Sequence, residues 1–350
     1  MKVKDGRSRA ALTRRVGTDA RRRSTRRAFL GACALLAVAP GLALAQARRD
    51  VPLVAVLYAG SPESHALLYE AFRSGMREAG LREGENVRIE IRWARGQNDR
   101  FAPLAEELVK LQPAVIVTAS TPALLAAAKA AQGHVAIVMA SADDPTLFGL
   151  AQSFARPGGN VTGTVNLLRD LDAKQMELLR LIKPGLRRVG LLENPANRIS
   201  VERMRNRAAR MRELGASPTV VDASTAEELR RAFERLAREG AEALVVDADA
   251  FFLIQRELIA QLAIARKLPT LNPFREMVDD GGLMSYGVGL PYSYHRASYF
   301  VHRVLKGAKP AELPIEQPTQ VELVLNRRTA RALGVAIPGE LLLRADKVIE

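Results

Sequence analysis

From residue 53 onward, short apolar runs alternate with amphipathic stretches of helical length. The first apolar run is 53–58, and an amphipathic stretch follows it over 66–79. Short apolar runs separated by helices are typical of strands that are buried on both faces, as in parallel sheets covered by helices. The chain is therefore predicted to be an α/β protein. Predicted strands lie at 53–58, 87–93, 114–118, 135–139, 188–192, 218–221, 243–246 and 270–271.

This rhythm occurs twice, with helices predicted between the strands of each half. Two cycles of similar length predict two doubly wound parallel-sheet lobes rather than one large sheet. The C-terminal part of the chain holds only single helices and strands, which we expect to add to each lobe in turn. The chain would then cross between the lobes several times, and this predicts a multi-crossing hinge over a cleft. We expect an N-terminal lobe of 48–165 plus about 287–312, and a C-terminal lobe of 166–286 plus about 313–350.

Residues 1–47 have the features of a twin-arginine signal peptide. The pair Arg26-Arg27 precedes Ala28-Phe29-Leu30, and an apolar run follows over 32–45. That run is shorter than the ~20 apolar residues of a bilayer span. It ends in small residues that suit cleavage after Ala45 or Ala47. We predict export to the periplasm.

Two other interpretations of this segment are weaker. A basic arm that binds nucleic acid does not need an apolar run and a cleavage site behind it. A lipoprotein signal at Cys33 should have its hydrophobic region before the cysteine, and here that region follows it.

The signal also accounts for most of the basic charge. The chain has a formal net charge of +14, of which residues 1–45 carry +9 and the remainder +5. A mildly basic remainder is weak evidence for a polyanion, so no nucleic-acid partner is predicted. Cys33 is the only cysteine of the sequence, so the mature chain is predicted to have neither a disulfide nor a thiolate metal site.

Each predicted strand is followed by a short polar turn. Ligands of open parallel sheets bind beyond the carboxyl ends of the strands, so these turns are where we expect the binding site. The candidate ligand-binding residues are Ser61, Ser120, Thr121, Pro122, Asp143, Asp144, Asn194, Asp247, Asp249 and Tyr286.

The turn Ser120-Thr121-Pro122 is the most informative of these. Ser or Thr is a preferred N-cap and Pro suits the first helical position, so the turn predicts a helix start. The free N–H groups of a helix start form an anion site that suits a carboxylate. The alternative is plain capping without a ligand.

Two further sets of residues have two interpretations each. Asp247 and Asp249 either accept hydrogen bonds from an ammonium or hydroxyl group of a ligand, or cap the helix that follows them. Tyr58, Phe251 and Tyr286 either line an apolar pocket or belong to the core.

Catalytic and metal-binding signatures are absent from the sequence. The motifs G-x-x-x-x-G-K-[ST], G-x-S-x-G and H-E-x-x-H do not occur. His295 and His302 lie seven residues apart on one predicted helix, and His65 and His134 have no spaced partner. We predict no catalytic residue, no metal and no cofactor.

Several stretches together match a known family. The more specific are Pro-Gly-Gly-Asn-Val-Thr-Gly at 157–163 and Thr-Pro-Ala at 121–123, and others lie at 72–80, 144–145, 193–195, 285–287 and 326–334. These stretches extend over nearly the full length of the mature chain. Through them the mature chain resembles the ABC transporter substrate-binding proteins of the type I periplasmic fold. That group includes tryptophan- and phenylalanine-binding members.

The resemblance implies two lobes that close on a small solute and an inner-membrane ABC permease that receives it. It also implies a carboxylate held by Ser120 and Thr121, with Asp143 or Asp144, Asn194, Asp247 and Asp249 nearby. Few aromatic residues flank the turns, so an aromatic amino acid is not the expected ligand. We predict a monomeric periplasmic binding protein for an amino acid or related acid.

Two other functions use the same cleft. An exported hydrolase with Asp247 or Asp249 as base predicts that an Asp→Asn change abolishes turnover without weakening binding. A sensor module would present its solute to a membrane receptor, and it differs from the leading prediction only in the partner that docks.

The signal prediction is tested by changing Arg26 and Arg27 to Lys. We expect the precursor to accumulate in the cytoplasm, because the twin-arginine pair is lost while the charge is kept. The control is the same change at Arg22 and Arg23, which no x-Phe-Leu follows. Fractionation and N-terminal sequencing should find a periplasmic protein that starts at Gln46 or Arg48. Equal export of both variants contradicts the prediction.

Overall fold

The structure is a computed structural model, and it describes residues 51–166, 171–318 and 321–350. The predicted signal peptide, residues 1–47, and with it Cys33, lies outside the described residues. Within the described ranges no helix is both long and apolar enough to cross a membrane.

The described chain alternates strands and helices as the sequence pattern predicts. In chain order the strands are β1 (Leu53–Tyr58), β2 (Arg88–Trp93), β3 (Val115–Thr118), β4 (Ala136–Ala142), β5 (Val161–Val165), β6 (Arg188–Glu193), β7 (Ser217–Asp222), β8 (Ala243–Val246), β9 (Thr270–Asn272), β10 (Met284–Gly287), β11 (Glu322–Asn326) and β12 (Lys347–Ile349). The α-helices are α1 (Ala66–Glu78), α2 (Phe101–Lys110), α3 (Thr121–Ala131), α4 (Asp172–Ile182), α5 (Arg198–Glu213), α6 (Ala226–Arg238), α7 (Ala250–Ile254), α8 (Arg256–Ala265), α9 (Arg275–Asp279), α10 (Leu290–Leu305), α11 (Arg327–Leu333) and α12 (Gly339–Arg344).

These strands form two sheets, one in each lobe. The first sheet has the order β2-β1-β3-β4-β5 and is parallel throughout. The second has the order β12-β11-β10-β9-β8-β6-β7, and only its β10–β11 pair is antiparallel. The predicted α/β architecture of two parallel-sheet lobes is confirmed.

Strand β1 shows why each sheet needs helices on both faces. Val54, Val56 and Tyr58 belong to a core that also holds residues of α1 and α10, whereas Ala55 and Leu57 belong to a core shared with α2 and α3. Because every residue of β1 is buried, neither face can be left in water. β1 therefore carries no polar side chain before Tyr58 at its end.

The chain passes between the lobes three times. It leaves the first sheet after β5, returns between β10 and α10, which packs on α1, β4 and β5, and leaves again before β11. Thr162 Oγ1 donates a hydrogen bond to the carbonyl of Leu313 at 2.8 Å, and Glu316 pairs with Thr164. Residues 313–316 thus lie against the first sheet, although the sequence boundary assigned them to the C-terminal lobe. The other lobe boundaries remain a prediction.

Two local expectations differ from the structure. The single helix expected over 252–267 is two helices, α7 and α8, that meet at Gln255. Phe251, Phe252 and Leu253 are consecutive, all buried and all within α7. The segment 285–287, expected as a turn, belongs to β10 because it pairs with β9 and β11.

Gly163 in β5 lies unusually close to β4. Its φ is +126°, and an added Cβ would lie 2.2 Å from the carbonyl oxygen and 2.5 Å from the nitrogen of Met139. The register of β4 against β5 shifts between Met139 and Ala142, just before the turn that carries Asp143. This close approach requires glycine and sets the path of that turn.

We predict that Gly163→Ala lowers the free energy of unfolding by about 3 kcal/mol or more, because Cβ would displace backbone atoms. The control is Gly133→Ala. Gly133 also has a positive φ, +80°, but no atom within 4 Å of an added Cβ, so a loss of only about 1 kcal/mol is expected there. Urea unfolding of both variants measures the difference. Equal losses would show that the close approach does not matter.

Candidate functional site

The two lobes enclose a cavity between the carboxyl ends of their strands. It has a volume of about 60 Å³, and its lining comes from turns of both lobes and from the start of α10. A cavity of this volume is smaller than a solute of amino-acid size needs, so the lobes part or side chains move when such a solute binds. The polar lining residues are His65, Asn98, Ser120, Thr121, Ser141, Asp143, Asn166, Asn197, Arg203, Asp249 and Tyr294.

The start of α3 opens onto this cavity from the first lobe. Ser120 is the N-cap, with φ −161° and ψ 157°, and the Ala123 N–H donates to its Oγ at 3.4 Å. Pro122 occupies the first turn, and Ser120, Thr121 and Pro122 all line the cavity. Capping and access to the cavity thus occur together. Pro122 has no N–H and the Ala123 N–H donates to Ser120 Oγ, so the Thr121 N–H is the first-turn donor that is left for an anion.

Thr121 ties the start of α3 to the end of β4. Its Oγ1 donates to Asp143 Oδ2 at 2.9 Å and accepts from the Asp143 N–H at 2.9 Å. The second carboxylate oxygen of Asp143, Oδ1, accepts a hydrogen bond from Arg203 Nη1 at 3.1 Å. Asp143 is therefore held from its own lobe on one side and from α5 of the second lobe on the other.

Arg203 stands between carboxylates of both lobes. Its Nε lies 3.1 Å from Asp247 Oδ1, but neither atom makes an aligned hydrogen bond among the described residues, so this contact is ionic. Burial alone would lower the pKa of Arg203, yet the charges of Asp247, Asp143 and Asp249 outweigh it and raise that pKa. The guanidinium is therefore cationic in the closed site.

Asp247 and Asp249 differ in their access to the cavity. Asp247 is fully buried and accepts a hydrogen bond from Ser200 Oγ. Asp249 lines the cavity, accepts from Asn194 Nδ2 at 2.9 Å and Asn197 Nδ2 at 2.8 Å, and caps α7 through the N–H of Phe251. Burial raises the pKa of Asp249 in spite of these donors. Asp249 therefore both caps a helix and faces the cavity, whereas Asp247 lies outside the lining.

One wall of the cavity is formed by aromatic and imidazole rings that were not predicted from the polar turns. His65, Phe274 and Tyr294 line it. Behind them Tyr58 lies with its ring centroid 5.5 Å from that of Tyr294 and 6.0 Å from that of His65. The expectation of a site with few aromatic residues is thus wrong, because the rings come from elements far apart in sequence.

Besides Asp247, four more candidate residues lie outside the cavity lining. Ser61 bonds Ser64 within the turn after β1, and Asp144 caps a short 3-10 helix, Pro145–Phe148, through the Thr146 N–H at 2.8 Å. Asn194 is buried behind Asp249. Tyr286 packs against the core of the second lobe, because its segment is strand β10. None of the four lines the cavity.

The sequence prediction missed Asn197, Arg203, His65 and Tyr294. Asn197 is in the turn that was singled out through Asn194, so its side chain could have been included. Arg203 is one of several arginines on α5, and the sequence gives no sign of which one faces the cleft.

His65 is nearly fully buried beside the cavity. Burial, and to a smaller degree the charge of Arg256, lowers its pKa from the ordinary 6.5 to about 4. Its Nδ1 lies 3.0 Å from Ser64 Oγ. His65 is therefore neutral at pH 7 and adds no charge to the site.

Comparisons with known proteins agree with this architecture. A family model described as ABC transporter substrate binding protein matches residues 53–349. A tyrosine-binding protein of Clostridioides difficile (strain R20291) is 24% identical over 269 residues, which are 76% of each chain. The ABC domain from Streptococcus pneumonia in complex with L-Trp is 25% identical with a TM-score of 0.78, covering 86% of this chain and 100% of that one. A conserved domain protein from Vibrio cholerae is 24% identical with a TM-score of 0.78, covering 85% and 100%.

The lowered pKa of His65 predicts a pH dependence of stability. Between pH 6.5 and about 4 the unfolded chain binds a proton that the folded site excludes, so stability is lost as the pH falls through this window. The whole effect is about 3 kcal/mol. Replacing His65 with Gln should remove this part of the loss, whereas His134→Gln, at an exposed histidine, should not. Urea unfolding at pH 7 and pH 4.5 measures both. The same loss in His65→Gln as in wild type refutes the account.

Proposed function

Because the chain belongs to the family of ABC transporter substrate-binding proteins, we propose that it captures a small carboxylate-bearing solute in the cavity between its lobes. Members of this family bind a small-molecule solute outside the cytoplasm and deliver it to a membrane permease. The observation that carries the proposal is the start of α3, whose Ser120, Thr121 and Pro122 line an enclosed cavity opposite polar groups of the second lobe.

The cavity offers complementary groups for a solute that carries both charges. The Thr121 N–H and the Ser120 hydroxyl suit a carboxylate, whereas the Thr121 hydroxyl already donates its proton to Asp143. Asp143 and Asp249 suit an ammonium or hydroxyl group. We therefore propose an amino acid or a related acid as the solute class.

The aromatic wall widens the range of side chains that such a solute could carry. His65, Phe274 and Tyr294 form an apolar surface with a few polar edges, which suits a flat or apolar group. The similar proteins include one named for tyrosine and one in complex with L-Trp. Aromatic amino acids therefore belong among the first probes.

Opening and closing about a hinge would let a solute reach the cavity. The chain passes between the lobes three times, and we propose that these passages serve as the hinge. In the open form the solute would meet α3 of the first lobe, and closure would bring Asn197 and Asp249 of the second lobe onto it.

The alternative of an exported hydrolase is less well supported. A general base must reach the proton that it abstracts. Asp247 is fully buried next to Arg203, and both oxygens of Asp249 already accept hydrogen bonds from Asn194, Asn197 and the Phe251 N–H. Neither carboxylate is placed as a free base, so binding without turnover is the function we propose.

Compartment and assembly complete the proposal. We propose that the protein is periplasmic after cleavage of residues 1–45 or 1–47, that its partner is an inner-membrane ABC permease, and that it works as a monomer.

The test is a thermal-shift screen of the exported protein with L-tyrosine, L-tryptophan, the other amino acids and small organic acids. At 100 times its Kd a ligand stabilises the folded state by about 2.7 kcal/mol. For a ligand found in this way, we expect the double change Ser120→Ala and Thr121→Ala, or the bulky change Pro122→Phe, to weaken binding at least tenfold. The amide of the same ligand should bind more weakly than the acid.

The control is Thr225→Ala. Thr225 caps α6 by a hydrogen bond from the Glu228 N–H, so this variant loses a helix cap outside the cavity and should bind as wild type does. A ligand that binds all these variants equally well disproves the assignment of the site, and turnover of that ligand favours the hydrolase.

A further inference from the structure

The side chain of Arg203 connects the two lobes across the cavity. It extends from α5 in the second lobe, and its Nη1 donates to Asp143 Oδ1 of the first lobe at 3.1 Å. Its Nε lies 3.1 Å from Asp247 Oδ1 of its own lobe. The guanidinium thus has one carboxylate on each side of the cleft.

The two ionic contacts depend differently on closure. Arg203 and Asp247 belong to the same lobe, so their contact survives when the lobes part. Arg203 and Asp143 belong to different lobes, so theirs exists only while the lobes are closed. Thr121 Oγ1 donates to Asp143 Oδ2 and leaves Oδ1 for Arg203, so both partners are fixed before they meet.

Burial makes this contact less sensitive to salt than an ordinary surface ion pair. The side chains of Arg203 and Asp143 are 19% and 20% exposed, and that of Asp247 is 0% exposed. Salt screens such groups less than exposed ones. Another contact between the lobes, from Asn98 Nδ2 to the carbonyl of Ala196 at 3.3 Å, is neutral and exposed. Of these two contacts, the ion pair is the charged and more buried one.

We propose that Arg203 is a positioning residue of the binding site, and that its ion pair with Asp143 is an interlobe clamp that holds the lobes closed. The inference rests on the proposed hinge closure but not on the identity of the solute. The clamp fixes Asp143, which lines the cavity, and sets the fraction of closed molecules. A solute that binds the closed form best is therefore bound more tightly when the clamp is intact.

The test measures closure directly by the distance between two spin labels. Since Cys33 is the only cysteine of the chain, a Cys33→Ser background allows labels at Glu63→Cys in the first lobe and Glu227→Cys in the second. Both positions are exposed. Distance distributions are recorded by pulsed electron resonance after extensive dialysis, with no solute added.

We expect Asp143→Asn and Arg203→Met to reduce the short-distance population at least twofold relative to the labelled wild type. The short-distance population of Arg203→Lys should lie between those of wild type and Arg203→Met, because one ammonium cannot contact both carboxylates as the guanidinium does. Matched controls remove the same charges at exposed positions: Arg205→Met on α5 and Glu106→Gln on α2. Both should keep the wild-type distribution.

If Arg203→Met fails to fold, Asp143→Asn still tests the clamp, because Arg203 keeps its ionic contact with Asp247 in that variant. A folded Asp143→Asn variant with the wild-type distribution, or a wild type without a short-distance population, overturns the clamp. The distance measurement uses no solute, so its result does not depend on the outcome of the solute screen. A result that contradicts the clamp does not contradict the proposed solute site.

Discussion

The burial of the inner parallel strands on both faces is the constraint on which the rest of this structure depends. With Val54 and Val56 in one core and Ala55 and Leu57 in the other, β1 has no face left for polar side chains. Polar residues that interact with a solute can therefore lie only where strands end. In each lobe those ends carry capped helices, and the two sets of ends face the same cavity.

The cavity combines helix capping with charge in a way that a single lobe could not. The first lobe supplies the start of α3 and Asp143, and the second supplies Asn197, Arg203 and Asp249. Asp249 caps α7 while it faces the cavity, so one side chain serves the fold and the site together. Three carboxylates surround one guanidinium, and this charge balance favours a solute that brings a cationic group of its own beside its carboxylate.

Local sequence patterns predicted most of the fold and part of the site. Periodicity identified most of the strands but not β5, β10 and β12, and the chemistry of helix starts identified Ser120 and Asp249, because both signals are carried by adjacent residues. Arg203, His65 and Tyr294 could not be found in this way, since their position depends on how distant elements pack. Tyr286 failed for the opposite reason: its neighbours look like a turn, but pairing with β9 and β11 makes them a strand.

A crystal structure of the exported protein with a solute from the screen tests the central claim most directly. The account predicts one solute between the lobes, with its carboxylate at the start of α3 beside the Thr121 N–H and the Ser120 hydroxyl, and its other polar group at Asp249 or Asp143. A solute bound elsewhere on the molecule, or one in the cleft with its carboxylate turned away from α3, would contradict it.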